Sequence, residues 1–165
     1  MKRSMWKEYR RFFIRLAVFL LLLYLAFMKV LFLKQVKGMD MFPSLKDGDL
    51  VLGYRLQKEF RTNDIIAYEE EGTLHFGRVI AKEGDQVKIS DGGEVTINGV
   101  TESSQIWYPD YDGGDLDYPF QVPENTLFIL GDYRTDAADS RNYGAIPVEQ
   151  VKGKVITLLR RRGLL

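Results

Sequence analysis

The chain has 165 residues, 45% hydrophobic and 28% charged, which is one globular domain's worth of core and excludes a disordered or fibrous polymer. Its 23 basic and 23 acidic side chains cancel, which argues against a wholly basic nucleic-acid binder, and the lack of cysteine excludes disulfides, thiolate zinc sites and Cys nucleophiles. The neutrality hides a segregation: residues 1–37 carry nine basic and one acidic residue, +8, and the other 128 carry 14 and 22, −8. Such asymmetry points to a membrane-facing end joined to an acidic body. With His75 as its single histidine and no phosphate-cradling glycine loop, the chain offers no cofactor or metal set.

Residues 16–33, LAVFLLLLYLAFMKVLFL, hold one charge, Lys29. With Phe12 to Ile14 the apolar band reaches the roughly 20 residues a bilayer core requires. Arg15 and Lys29 can snorkel from its ends. No small-residue cleavage site follows, as a secretory signal would need, and a helix apolar on every face does not fit the core of so small a domain. The reading is one transmembrane helix. Lys2, Arg3, Lys7, Arg10 and Arg11 precede it against Glu8 alone, so the positive-inside rule puts the N-terminus in the cytoplasm. Residues 1–37 are then a basic tail and membrane helix contacting lipid, and 38–165 an extracytoplasmic domain at the cell surface.

From residue 48 onward come short β-rich runs at spacings of about ten: DLVLGYRL, DIIAYEE, HFGRVIA, DQVKIS, EVTING, TLFILGD and VKGKVITLL. This pattern predicts a mainly β domain, an antiparallel barrel or a packed pair of sheets. Residues 103–119 read as an exposed aromatic and acidic loop. Asp110, Asp112 and Asp115 approach the spacing of a calcium loop but lack its sixth-position Gly and twelfth-position Glu. Arg160, Arg161 and Arg162 read as a solvated terminus.

Three segments carry a resemblance. VKGMDMFPSLKDGDLVL at 36–52 follows the pattern G-x-S-M-x-P-T-L then G-D. NDIIAYEEEGTLHFGRVIAKEGDQV at 63–87 follows G-D-[IV]-V, then K-R-V-[IV]-G-x-x-G-D, and LGDYRTDAADSRNYGAIP at 130–147 follows G-D-N-R-x-x-S-x-D-S-R-x-x-G-x-[VI]-P. In this order behind one membrane helix they resemble the type I signal peptidases, membrane-anchored serine proteases with a largely β, partly barrel-like core. The resemblance implies a Ser nucleophile activated by an unprotonated Lys, a dyad that needs an amine whose pKa burial has lowered. Here the nucleophile position is Asp40, the base position Gly77, and the Ser that orients the base is Ala137. Turn and ion-pair positions are kept: Pro43, Gly48, Asp49, Gly84, Asp85, Gly131, Asp132, Arg134, Asp139, Arg141, Gly144 and Pro147.

An aspartic mechanism needs two carboxyls about 3 Å apart sharing a proton, and Asp139, the candidate partner, is expected to pair with Arg141. A water activated by His75, two residues before Gly77 and so on its face of a strand, is the other route to an active endopeptidase using Asp40. Without chemistry the resemblance leaves a peptide groove walled by Val36, Gly38, Asp40 and Met41 on one side and Leu74, His75, Phe76 and Gly77 on the other, able to bind an extended strand through its backbone. The lost dyad is similar to that of the inactive signal-peptidase-like group called SipA, which accompanies sortase-assembled pili in Gram-positive bacteria. That likeness implies a chaperone-like accessory role, with pilin subunits or the pilin sortase as partners.

Overall fold

A computed structural model of the chain describes residues 2–102, 114 and 116–160. Helix α1, Lys2–Val30, contains no Gly or Pro, so every interior peptide can hydrogen-bond within the helix, as a bilayer demands. Its stretch Met5–Val30, 26 residues, is long and apolar enough to cross a membrane, and none of its most apolar window is buried against the rest of the chain.

The helix stops three residues short of the apolar run's end. Leu31–Gln35 form strand β1, which pairs with β2, Leu50–Tyr54, in antiparallel register from Leu31↔Tyr54 to Gln35↔Leu50. Phe32 is buried there, its ring lying where a side chain on Gly53 would otherwise stand. Apolar residues 31–33 thus serve the body's sheet as well as continuing the hydrophobic stretch.

The remaining strands are β3 (Ile65–Glu70), β4 (Thr73–Lys82), β5 (Gln86–Ile89), β6 (Val95–Ile97), β7 (Val100–Thr101), β8 (Phe120–Gln121), β9 (Thr126–Leu130), β10 (Ile146–Pro147) and β11 (Val151–Leu159). All seven β-rich runs of the sequence are strands. The short β7, β8 and β10 and the strand β1 were not anticipated. Helix α2, Ser140–Tyr143, is a single turn before β10. Seven strands form one sheet in the order β1-β2-β11-β3-β4-β9-β10, four form a second in the order β7-β6-β5-β8, and every pairing is antiparallel. Three clusters make the core: Phe32, Val36, Met41, Leu45, Val51, Ala67 and Phe76 on one face of the large sheet, Phe60, Ile66, Tyr68, Val79, Leu127, Ile129 and Ile146 on the other, and a third in which Ile80, Ala81, Phe128 and Leu130 of β4 and β9 meet Val87, Ile89 and Val95 of the small sheet.

The strand starts share one turn chemistry. In Gly48-Asp49, Asn63-Asp64 and Gly84-Asp85 the first residue has φ near +80°, the left-handed region open to Gly and tolerated by Asn. The Asp then accepts the backbone N–H three residues back, from Lys46, Arg61 and Lys82 at 2.8–3.1 Å. The expected solvated terminus is corrected at Arg160. Its guanidinium clamps the buried Asp49 at 2.6 Å, because the pair Leu159↔Leu50 leaves Arg160 beside Asp49. Arg161, Arg162 and the calcium-loop candidates Asp110, Asp112 and Asp115 lie outside the described residues.

Candidate functional site

Asp40 sits in the connection between β1 and β2. That connection is pinned at both ends, by Val36 N–H donating to Asp49 O at 2.8 Å and by Gly38 N–H donating to Asp47 Oδ1 at 3.0 Å. Met41 and Leu45 plug it into the core. The Asp40 carbonyl accepts the Tyr133 N–H at 2.9 Å, which ties it to the segment after β9. Burial holds the half-buried Asp40 carboxyl above its ordinary pKa; Asp136 and Asp139 push it the same way, and His75 opposes them.

On β4, His75 and Gly77 share one face. Tyr68 of β3 lies directly across from His75 and stacks on it, with ring centroids 5.6 Å apart and 27° between planes. Tyr143 approaches the same imidazole at 6.2 Å. Burial raises the Tyr68 phenol pKa, so the phenol stays neutral. Gly77 is walled in. A Cβ there would stand closer than 3.0 Å to Ile129 Cγ2 and 3.3 Å from Tyr68 Cε1. The path along which a lysine would leave β4 is occupied by the neighbouring strand's isoleucine.

The third segment forms a strap held by buried charges. Asp139 accepts the Gly131 N–H at 2.9 Å, caps α2 and pairs with Arg141 at 2.9 Å. Arg141 also donates to the carbonyls of Arg134, at 2.7 Å, and Ala137, at 3.2 Å. Arg134 pairs with Glu102 at 2.9 Å and donates to Gly131 O at 2.7 Å. Asp132 takes a bidentate pair from Arg78, next to Gly77, at 2.6 and 2.7 Å, and the same guanidinium reaches Ser44 Oγ at 3.3 Å, two residues past the Phe42 that precedes Pro43. These pairs set Ala137 against Gly131: a Cβ on Gly131 would meet Ala137 Cβ, and would stand 2.6 Å from Asp40 O. Asp40, Gly77 and Ala137 are therefore held on elements that touch. The strap also lines a cleft of about 380 Å³ with Thr135, Asp136, Ala137, Asn142 and Tyr143.

The chemistry this allows is narrow. Asp139 already accepts from Arg141 and Gly131, which leaves it no lone pair directed to share a proton with Asp40. Position 77 supplies no amine and position 137 no hydroxyl. What stays open is an edge. β9 begins pairing with β4 at Arg78↔Leu130, so among the described residues 73–77 have a strand neighbour, β3, on one side only. Of the groove residues, Gly38, Asp40, Leu74 and His75 are partly or fully exposed, whereas Val36, Met41 and Phe76 turn their side chains into the core and offer a bound segment only backbone. Sequence reasoning missed Tyr68, Ile129, Asp136 and Tyr143. Tyr68 and Ile129 follow only from strand register; Asp136 and Tyr143 lie inside the third segment and were there to be read.

A family model described as signal peptidase, peptidase S26, matches residues 9–159. Signal peptidase I of Bacillus licheniformis is 32% identical over 152 residues, covering 84% of this chain and 80% of that protein. Thylakoidal processing peptidase 1, chloroplastic, of Arabidopsis thaliana is 28% identical over 142 residues, or 74% of this chain, and the chain spans 40% of that protein's length. The crystal structure of a signal peptidase I from Enterococcus faecalis V583 superposes with a TM-score of 0.51 at 28% identity, covering 60% of this chain and 97% of that one.

Proposed function

The chain belongs to the signal peptidase, peptidase S26, family, and from that membership we propose a membrane-anchored member that binds an extended segment of an exported partner without cleaving it. The observation that carries the proposal is at the base position: Gly77 has no side chain, and Ile129 stands where one would begin. Asp40 and Ala137 remove the nucleophile and the orienting hydroxyl as well. The open stretch 73–77 of β4 is where an added strand would pair, giving affinity through the main chain with no reacting group. Asp40 on the facing wall would receive a lysine or an N-terminal amine. The ion pairs of the strap, two buried and one partly buried, support retention of the shape.

In this reading the +8 terminus is cytoplasmic and the −8 body lies outside. The likeness of the lost dyad to the SipA group favours an accessory role in sortase-dependent pilus assembly, with a pilin subunit or the pilin sortase supplying the bound segment. The second reading, an endopeptidase using Asp40, draws on the His75 imidazole within electrostatic reach of that carboxyl. The two separate on one assay: full-length protein in liposomes is incubated with a pilin precursor. The proposal expects the precursor to stay intact; cleavage abolished by Asp40→Ala would overturn it.

A further inference from the structure

Where β4 ends and β9 begins there is another cleft, of about 470 Å³. Lys82 closes β4 and pairs with Leu127 of β9. Five residues separate Lys82 from Gly77, roughly 16 Å along a strand, so this cleft is distinct from the groove. Residues 58–61, between β2 and β3, form the facing wall. They are fixed by Phe60, which packs with Leu127 and Val148, and by Asn63 N–H donating to Val79 O at 2.8 Å. Val148 N–H donates to Asn125 O at 2.9 Å and ties down the third side. The walls are thus set by core packing and backbone bonds, not by the charged side chains that project from them.

Those side chains gather the body's spare positive charge. Between residues 38 and 160 the chain has twelve lysines and arginines. Six of them, Arg78, Arg134, Arg141, Lys152, Lys154 and Arg160, form ion pairs. Lys46 and Arg55 lie over the rings of Phe42 and Phe32. The other four, Lys58, Arg61, Lys82 and Lys88, have neither an ion pair nor a ring among the described residues, and the first three line this one cleft. Neighbouring carboxylates are engaged elsewhere. Asp64, which accepts the Arg61 backbone N–H, is paired to Lys154 at 2.6 Å, and Glu83 accepts the Asn125 N–H at 2.8 Å. Three cations against Glu59 and Glu83 leave the lining at +1, in a body whose formal charge is −8.

A lining of +1 suits a monoanion. Lys58 and Arg61 stand on one wall and Lys82 on the other, so an anion is met from two sides, which fits the tetrahedral oxygens of a phosphate better than the flat fork of one carboxylate. A phosphodiester carries a single charge, whereas a monoester approaches two near neutral pH. Glu59, the Asn125 amide and the Thr126 hydroxyl add acceptors and donors suited to neutral hydroxyl groups. An acidic protein surface meets repulsion from Glu59, Glu83 and the body as a whole. We propose that this cleft binds a phosphodiester flanked by polyol hydroxyls, with Lys58, Arg61 and Lys82 on the phosphate and Glu59, Asn125 and Thr126 on the hydroxyls. A lipid headgroup, a soluble ester and a polyol-phosphate polymer share that chemistry. The site needs nothing from the groove and stands whether or not the groove holds a strand.

Full-length protein in phosphatidylcholine nanodiscs is titrated with glycerophosphoglycerol by isothermal titration calorimetry. Saturable binding is expected, weakened about tenfold in Arg61→Gln and in Lys82→Gln, the worth of one charge-assisted contact. Both side chains are exposed, so Tm should not move. Lys88→Gln removes the fourth cation, which lies outside the cleft, and is expected to bind as the parent does. Dimethyl phosphate, which has the charge without the hydroxyls, and a triglutamate peptide are each expected to bind about tenfold more weakly or worse. Phosphatidylglycerol added to the disc separates the sources: competition with the soluble ester assigns a lipid headgroup, and unchanged affinity a soluble or polymeric ester. Absence of saturable binding overturns the proposal, as does an equal loss in Lys88→Gln, which would mark a general field effect. Dimethyl phosphate binding as tightly as the polyol ester overturns the hydroxyl contacts, and triglutamate binding as tightly overturns the phosphate assignment.

Discussion

Replacing Gly77 with alanine adds one methyl group at the position where the signal peptidase pattern has its lysine. The new Cβ would stand closer than 3.0 Å to Ile129 Cγ2, against the roughly 3.5–4.0 Å of an ordinary carbon contact. Forcing a methylene into a packed core costs about 1–3 kcal/mol. The backbone of Gly77 is not left-handed, so alanine recovers about 0.4–1 kcal/mol by restricting the unfolded chain. The net loss is then about 0–2.6 kcal/mol, which lowers Tm by up to roughly 10 °C at about 2–4 °C per kcal/mol. Thermal unfolding of the full chain in detergent micelles, followed by near-UV circular dichroism, reads this. Ile129→Ala alone costs about 2–5 kcal/mol, but Gly77→Ala added to it should be neutral or stabilising, a coupling of about 1 kcal/mol or more. Strictly additive effects in the pair would refute the reasoning. Ile129 would then yield freely, and a missing lysine would no longer mean missing room.

Other outcomes follow from the buried charges. Asp139→Ala breaks the buried Asp139–Arg141 pair and removes the α2 cap, and should cost about 3–5 kcal/mol in the same melt. Asp40 has its folded pKa raised, chiefly by burial, so its ionised form destabilises the fold: Asp40→Asn should raise Tm at pH 7, with the advantage vanishing as pH falls below the ordinary value of 3.8. Asp49 is the reverse case, its folded pKa lowered first by the hydrogen bond from Arg160. Its contribution is present above 3.8 and lost as pH falls through the depressed folded value, so Arg160→Gln should lower Tm at pH 7 and converge with the parent in acid.

Much of the body was legible because its strands alternate and its turns carry Gly, Asn and Asp where the backbone needs them. The seven runs became strands, and the three segments placed Asp40, Gly77 and Ala137 on contiguous elements. What stayed hidden depends on neighbours distant in sequence. Residues 31–33 are as apolar as the helix before them, and hydropathy has no means of separating a membrane helix from an apolar edge strand; the pairing with β2 decides it. Arg160 looks like one cation in a basic tail until register puts it beside Asp49, 111 residues away. The occlusion of position 77 is invisible from its own sequence context, because Ile129 belongs to β9 and Tyr68 to β3. Short strands of two residues, such as β7 and β8, have too little periodicity to announce themselves.

The central claim is that the groove holds a segment it does not cut. A photo-cross-linking residue at Met39, exposed beside Asp40, in full-length protein in the producing cell tests it directly when the trapped partner is sized by mass spectrometry. The account predicts an adduct with an exported protein whose linked segment is uncleaved, and loss of that adduct when proline replaces Leu74 or Phe76 on the open edge of β4. A trapped fragment ending at a new terminus beside Asp40, absent in Asp40→Ala, would contradict it.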